Sequence, residues 1–284
     1  MTVVDEEAAD RVFHLHLVSD STGETLNSIA KATCAQFSDV KTIEHIHALV
    51  RSERHLQRVL RIIETHPGVV LYTMMNSELR QQLEDRCREL QLPYTAVLDP
   101  VLNVLRAHFG SIESHRPGGQ HDMDAAYFRR IDAMNYFMTH DDGQNVHDLD
   151  SADIVLVGVS RTSKTPTSIY LANRGLRTAN VPIVANQIVP IDFGMVTQPL
   201  IVGLTASPER LVQIRRNRLL TLKETTETDY VNVDSVREET VFARKLFSRY
   251  NWPVIDVTRR SIEETAAAIL NLYQERKGGE GIAL

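Results

Sequence analysis

The stretch "GVSRTSKT" (residues 158–165) follows the apolar run "DIVLV" (153–157) and precedes "PTSIYLANRG" (166–175). An unbroken apolar run fits a buried strand, and the apolar spacing after the loop fits a helix. Between them lies all but one residue of the pattern Gly, four residues, Gly, Lys, Ser or Thr, which cradles nucleotide phosphates. Ser163 stands where the second Gly belongs. A strand, a phosphate-type loop and a helix in this order place the segment in the α/β class.

Each residue of the loop has a role in that chemistry. Backbone N–H groups between Gly158 and Thr165, through Val159, Ser160, Arg161, Thr162 and Ser163, converge on one point, and the helix N-terminus favours an anion there. Lys164 reaches the terminal phosphates, and the Thr165 hydroxyl is the expected ligand of Mg2+. Arg161 adds positive charge beside the phosphates. A positive φ at Ser163 would cost on the order of 1 kcal/mol. Pro166 fits the first turn of a helix, where its missing N–H is not needed.

Working outward, strands and helices continue to alternate. After the loop come "VPIVAN" (181–186) and "PLIVGLT" (199–205) as strands, then a helix opening on Ser207-Pro208. A further helix, the strand "WPVIDVT" (252–258) and a final helix with a Ser261–Glu264 capping box complete this half. Before the loop, "VFHLHLVS" (12–19), "KTIEHIHAL" (41–49), "VVLYTMM" (69–75) and "YTAVLD" (94–99) read as strands separated by helices, the third opening on Ser77 as N-cap. The stretch 110–124 lacks periodicity and reads as a long loop, with a helix at 125–140 after it. The sequence therefore predicts two parallel-sheet α/β domains, residues 1–147 and 148–284, the second kinase-like with a P-loop.

Composition narrows the function. Of 284 residues, 43% are hydrophobic and 24% charged, which predicts a packed soluble core. A net charge of −6 argues against nucleic acid or an anionic membrane as partner. Cys34 and Cys87 are isolated from each other, so a reducing cytoplasm is expected, and no apolar run is long enough to span a membrane. His115 and His121 lack a third ligand at convincing spacing, so no zinc site is expected, and the other histidines read as structural.

Outside the loop, "HDDG" (140–143) is the strongest candidate. Asp141 or Asp142 could take a proton from an acceptor hydroxyl in one direction and activate phosphate in the other. Asp at a helix C-terminus is electrostatically unfavourable, which calls for another reason for the pair. "SDSTGET" (19–25), at the end of the first strand, and the lip "GGQHD" (118–122) are further contacts to consider; "RRNR" (215–218) is either a phosphate clamp or a solvated helix face. No Walker B aspartate is evident: "PLIVGLT" ends in Thr205, and Asp192 lies in a loop.

"HLHLVSDSTGETL" (14–26), "GQHDMDAAYFRRIDAMNYFMTHDDGQ" (119–144), "VGVSRTSKTPTSIYLANRG" (157–175) and "NWPVIDVTRRSIEETAAAIL" (251–270) together resemble the pyruvate, phosphate dikinase regulatory protein family. That family carries Ser or Gly at the position of Ser163. "RTSKT" is similar to the dikinase branch, whereas the branch acting on phosphoenolpyruvate synthase tends to show Cys-Gly at 162–163. The resemblance implies a bifunctional enzyme. Its kinase activity uses ADP to phosphorylate a threonine of pyruvate, phosphate dikinase; its phosphorylase activity uses inorganic phosphate to remove that group as pyrophosphate. The resemblance leaves a homodimer open. A small-molecule P-loop kinase and a nucleotide-sensing module are the competing functions.

Overall fold

A computed structural model describes residues 11–38, 40–110, 117–119, 123–184, 191–221 and 229–278. His115, His121 and Asp122, and most of the C-terminal tail, lie outside the described residues. The chain divides into two compact units, Met1–Asp122 and Met123–Leu284.

In the first unit the elements follow one another as β1 (Arg11–Ser19), α1 (Glu24–Cys34), β2 (Val40–His47), α2 (Glu53–Thr65), β3 (Gly68–Thr73), α3 (Ser77–Glu89), β4 (Tyr94–Ala96) and α4 (Asp99–Phe109). The four strands are parallel in the order β2-β1-β3-β4. Alternation along β1 serves two layers. Leu15 and Leu17 pack with Leu26 and Ala30 of α1, while Val18 joins Leu56, Val59, Leu60 and Ile63 of α2 and Leu79, Leu83 and Cys87 of α3. Helix α3 is capped by Asn76, not by Ser77 as the sequence suggested: the Asn76 side chain accepts from the Leu79 N–H at 3.0 Å. Helix α4 has no counterpart in the sequence reading. It buries no residue, and Val101, Val104 and Phe109 are exposed.

The second unit opens with α5 (Ala125–Thr139) and 3-10 turns at Asp141–Gly143 and Val146–Ser151. It continues through β5 (Ile154–Gly158), α6 (Lys164–Ala172), β6 (Thr178–Pro182), β7 (Leu200–Thr205), α7 (Pro208–Thr221), α8 (Val233–Arg249), β8 (Val254–Asp256) and α9 (Ile262–Arg276). Its parallel sheet has the order β6-β5-β7-β8. All five residues of β5 are buried, because helices cover both faces of an interior strand. The Ser261–Glu264 capping box forms at the start of α9.

The division between units falls earlier than the boundary at 147/148 expected from the sequence, where the polar stretch 141–153 reads as a linker. Helix α5 belongs to the second unit because Ala133 and Phe137 pack with Ala172 of α6, and the Asn180 N–H donates to the His140 carbonyl. Linker-like composition there marks tight turns within the unit. Strand β6 also begins earlier than "VPIVAN", at Thr178.

Candidate active site

Strand β5 ends at Gly158 beside the last turn of β7, and this position has no room for a side chain. A Cβ there would lie 2.5 Å from the Leu204 carbonyl oxygen and 2.9 Å from Thr162 Oγ1. The chain then turns through two left-handed residues, Arg161 (φ 72°) and Ser163 (φ 59°), before α6 begins at Lys164. Left-handed residues separated by an ordinary one turn successive N–H groups toward one side, the geometry of an anion-binding nest. Ser163 makes no side-chain cap, so the first N–H groups of α6 are left without that partner. Strain at both residues, on the order of 1 kcal/mol each, is held by bonds around the loop. The buried Thr162 hydroxyl donates to the Val159 carbonyl at 2.9 Å, and Lys164 Nζ donates to the same oxygen at 3.0 Å.

Lys164 is buried, and burial pushes its pKa down to about 8, opposed by the negative charge of Asp142 and then of Asp141. A cation held in such a place gains most when an anion arrives. The acidic pair does divide by geometry. Asp141 is half-buried, and its carboxylate accepts the Thr165 hydroxyl at 3.1 Å and the side-chain amide of Asn180. Asn180, in the middle of β6, also donates to Thr165 Oγ1 at 3.0 Å, while its own Oδ1 is buried without a hydrogen bond. Asp142 is exposed, sits in a left-handed conformation (φ 52°, ψ 39°), and makes no hydrogen bond among the described residues. Its charge favours the protonated form of Lys164.

Sequence reasoning missed Asn180, although a polar residue at the centre of a buried strand is a signal in itself. Of "RRNR", Arg216, Asn217 and Arg218 are exposed, as a solvated helix face would have them, but Arg215 is wholly buried. Its guanidinium donates to both Glu239 carboxylate oxygens (3.3 and 2.7 Å), to the Ser160 carbonyl (3.3 Å) and to the Tyr230 carbonyl (3.1 Å). The Tyr230 ring lies against it, 4.6 Å from ring centre to guanidinium carbon. The Tyr230 hydroxyl in turn meets Ser160 Oγ at 3.3 Å and accepts from Arg161 Nε at 3.2 Å. Arg215 and Tyr230 therefore grip the first half of the loop from outside.

Thr205, where a Walker B residue would stand, has a buried hydroxyl with no partner among the described residues, and the Asp192 carboxylate accepts from the Gly194 N–H of its own turn. In "SDSTGET", Ser19 and Asp20 are used structurally: Asp20 accepts from the Met75 N–H at 2.6 Å, and Ser19 Oγ accepts from Thr73 and from the Ser21 N–H.

Hard oxygen donors fit Mg2+, and the Thr165 hydroxyl, the Asp141 carboxylate and the orphaned Asn180 carbonyl form such a set. The Asp141 carboxylate in this set comes from the turn after α5, not from the end of β7. A phosphate nest, a buried lysine, an oxygen-rich metal position and an exposed carboxylate together suit phosphoryl transfer.

The family model described as kinase/pyrophosphorylase matches residues 15–270. The chain belongs to the kinase/pyrophosphorylase family. It is 56% identical over 268 residues to a protein of Maricaulis maris named for pyruvate, phosphate dikinase regulation, covering 94% of this chain and 96% of that one. A protein of the same name from Rhizorhabdus wittichii is 57% identical over 267 residues, covering 94% and 97%. Another from Bradyrhizobium diazoefficiens is 54% identical over 270 residues, covering 95% and 97%. The kinase/pyrophosphorylase match spans both units, which gives the first unit a place in the family alongside the loop-bearing second. Among the described residues no helix is long and apolar enough to cross a membrane.

Proposed function

We propose that this kinase/pyrophosphorylase phosphorylates a threonine of pyruvate, phosphate dikinase with ADP and removes that phosphate with inorganic phosphate, releasing pyrophosphate. The observation that carries the reading is the convergence of Lys164, Thr165, Asp141 and Asp142 on the nest formed by residues 158–165. The names of the relatives support the partner.

In the kinase direction the nest holds the diphosphate, and Lys164 meets the transferred β-phosphoryl group. Asp142 accepts the proton as the threonine oxygen attacks the β-phosphorus. The bond from that phosphorus to the bridging oxygen breaks, and AMP leaves with the electron pair. In the phosphorylase direction an oxygen of inorganic phosphate attacks the phosphothreonine phosphorus. As it attacks, that phosphate oxygen gives its proton to the Asp142 carboxylate, the threonine oxygen departs and takes that proton up, and pyrophosphate is left in the nest. Mg2+, where bound, supplies charge neutralisation across the phosphate oxygens. Thr165, Asp141 and the Asn180 carbonyl would hold it. One exposed carboxylate serves both directions because each needs a single proton moved at the acceptor oxygen.

Incubating the protein with purified dikinase and ADP, then mapping phosphorylated residues by mass spectrometry, tests this. A single phosphothreonine that disappears on adding inorganic phosphate is expected. An unmodified dikinase under both conditions overturns the assignment.

A further inference from the structure

The histidines that looked scattered along the sequence meet on one face of the first unit's sheet. His14 and His16 of β1, His45 and His47 of β2, and His66 just before β3 lie at ring separations of 4.6–5.5 Å, with His16 stacked on His45 and on His47 and the His14 and His66 contacts tilted or edge-on. The parallel register explains it: His16 lies opposite His45 and Val18 opposite His47, so period-two alternation brings all four strand histidines to one side. The nitrogens meet in pairs. His14 Nδ1 lies 2.9 Å from His45 Nε2, and His16 Nδ1 lies 3.2 Å from His47 Nε2.

Proton positions follow for the buried pair. His16 Nε2 lies 2.8 Å from the His66 carbonyl, which can only accept, so it carries the hydrogen. In the neutral ring Nδ1 is then the acceptor and takes a hydrogen from His47 Nε2. A further proton on His16 sets N–H against N–H unless His47 gives its own up, and it places a charge 4.6 Å from the stacked His45 ring. Around His16, His45 and His47 the electrostatic neighbours are other histidines, including His55 of α2. Among the carboxylates of the helices α2 and α3, Glu84 bonds Arg80 and Tyr72 of β3, and Glu64 bonds Arg86. Lys41 lies further along the same face of β2.

We propose that these imidazoles form an acid-sensitive latch, holding edge strand β2 on β1 while neutral and releasing it when protonated. Strand β2 pairs only with β1 in the sheet order, so it can leave without breaking the rest. Burial, and then the neighbouring histidines, push His47 down to about 4, and burial likewise lowers His16 and His45. The unfolded strand therefore binds protons that the folded one refuses. Stability is retained above about pH 6.5 and is lost as pH falls from there toward 4. The paired nitrogens and stacked rings do not share a centre, and among the described residues no three His, Cys, Asp or Glu side chains are placed to hold one metal ion.

Amide hydrogen exchange of residues 40–47, with residues 154–158 as internal reference, tests the latch. Between pH 7.5 and 5.5, after correction for intrinsic exchange, protection of β2 should fall about tenfold or more relative to β5. In His45→Gln/His47→Gln the amides can still donate to His14 and His16 but do not titrate, and the fall should shrink to within about threefold. A fall absent in the wild type, or undiminished in a folded double variant, overturns the proposal. So does a stoichiometric gain in β2 protection on adding Zn2+ at pH 7.5, which would make the cluster a metal site. Should the double variant not fold, the wild-type pH comparison decides alone.

Discussion

Thr165 donates its hydroxyl hydrogen to Asp141 across 3.1 Å, tying the first turn of α6 to the turn that ends α5. This bond separates two neighbouring aspartates that the sequence left equivalent. Asp141 is half-buried and bonded to Thr165, and in the proposed mechanism it supports Mg2+, while the exposed Asp142 is assigned the proton.

The two aspartates should therefore fail differently. Asp142→Asn is expected to lower kinase and phosphorylase rates together by about 10²-fold or more, with nucleotide affinity little changed. Asp141→Asn should also lower both rates, and in addition should raise the Mg2+ concentration needed for half-maximal rate by about tenfold. Steady-state kinetics against Mg2+ checks this; identical behaviour of the two variants would show that the carboxylates do not divide the work.

Lys164 should trade stability for activity. Its folded pKa of about 8 lies below the usual lysine value of 10.5, so the folded state binds its proton less readily than the unfolded chain. The charged lysine therefore destabilises the empty protein below about pH 8, and the penalty fades as pH rises from there toward 10.5. Lys164→Met should stabilise the empty protein at pH 7 by on the order of 2–3 kcal/mol and abolish most activity. Urea unfolding at pH 7 and pH 9.5 checks it, with a smaller gain at the higher pH.

The grip on the loop from Arg215 and Tyr230 is open to a graded test. Tyr230→Phe keeps the ring on Arg215 but loses the bonds to Ser160 and Arg161. It should raise KM for ADP and for inorganic phosphate by about three- to tenfold with kcat less affected, about 0.6–1.4 kcal/mol of binding. Arg215→Met leaves Glu239 without its partner and should destabilise the second unit by about 3 kcal/mol. Thermal melts and initial-rate kinetics separate the two effects.

Much of the fold was legible because buried strands and capped helices leave local marks: "DIVLV" for β5, and Ser261 with Glu264 for α9. Helix α4 was not read as a helix, although Val101, Leu102, Val104 and Leu105 recur at helical spacing; it buries no residue. The loop was legible as a contiguous motif. Its supports were not, because Asn180, Arg215 and Tyr230 reach it from β6, α7 and the turn before α8, separations that no local pattern encodes. The histidine cluster was hidden for the same reason: strand register, absent from a linear spacing, brings the rings together.

The central claim is that the phosphate on the partner comes from the β-position of ADP. The direct measurement uses ADP labelled with 32P at that position, free of adenylate kinase, together with purified dikinase. Label should appear on a dikinase threonine in equal amount to AMP formed, and unlabelled inorganic phosphate should then release it as labelled pyrophosphate. Label that stays in nucleotide, with transfer seen only from ATP, would contradict the account.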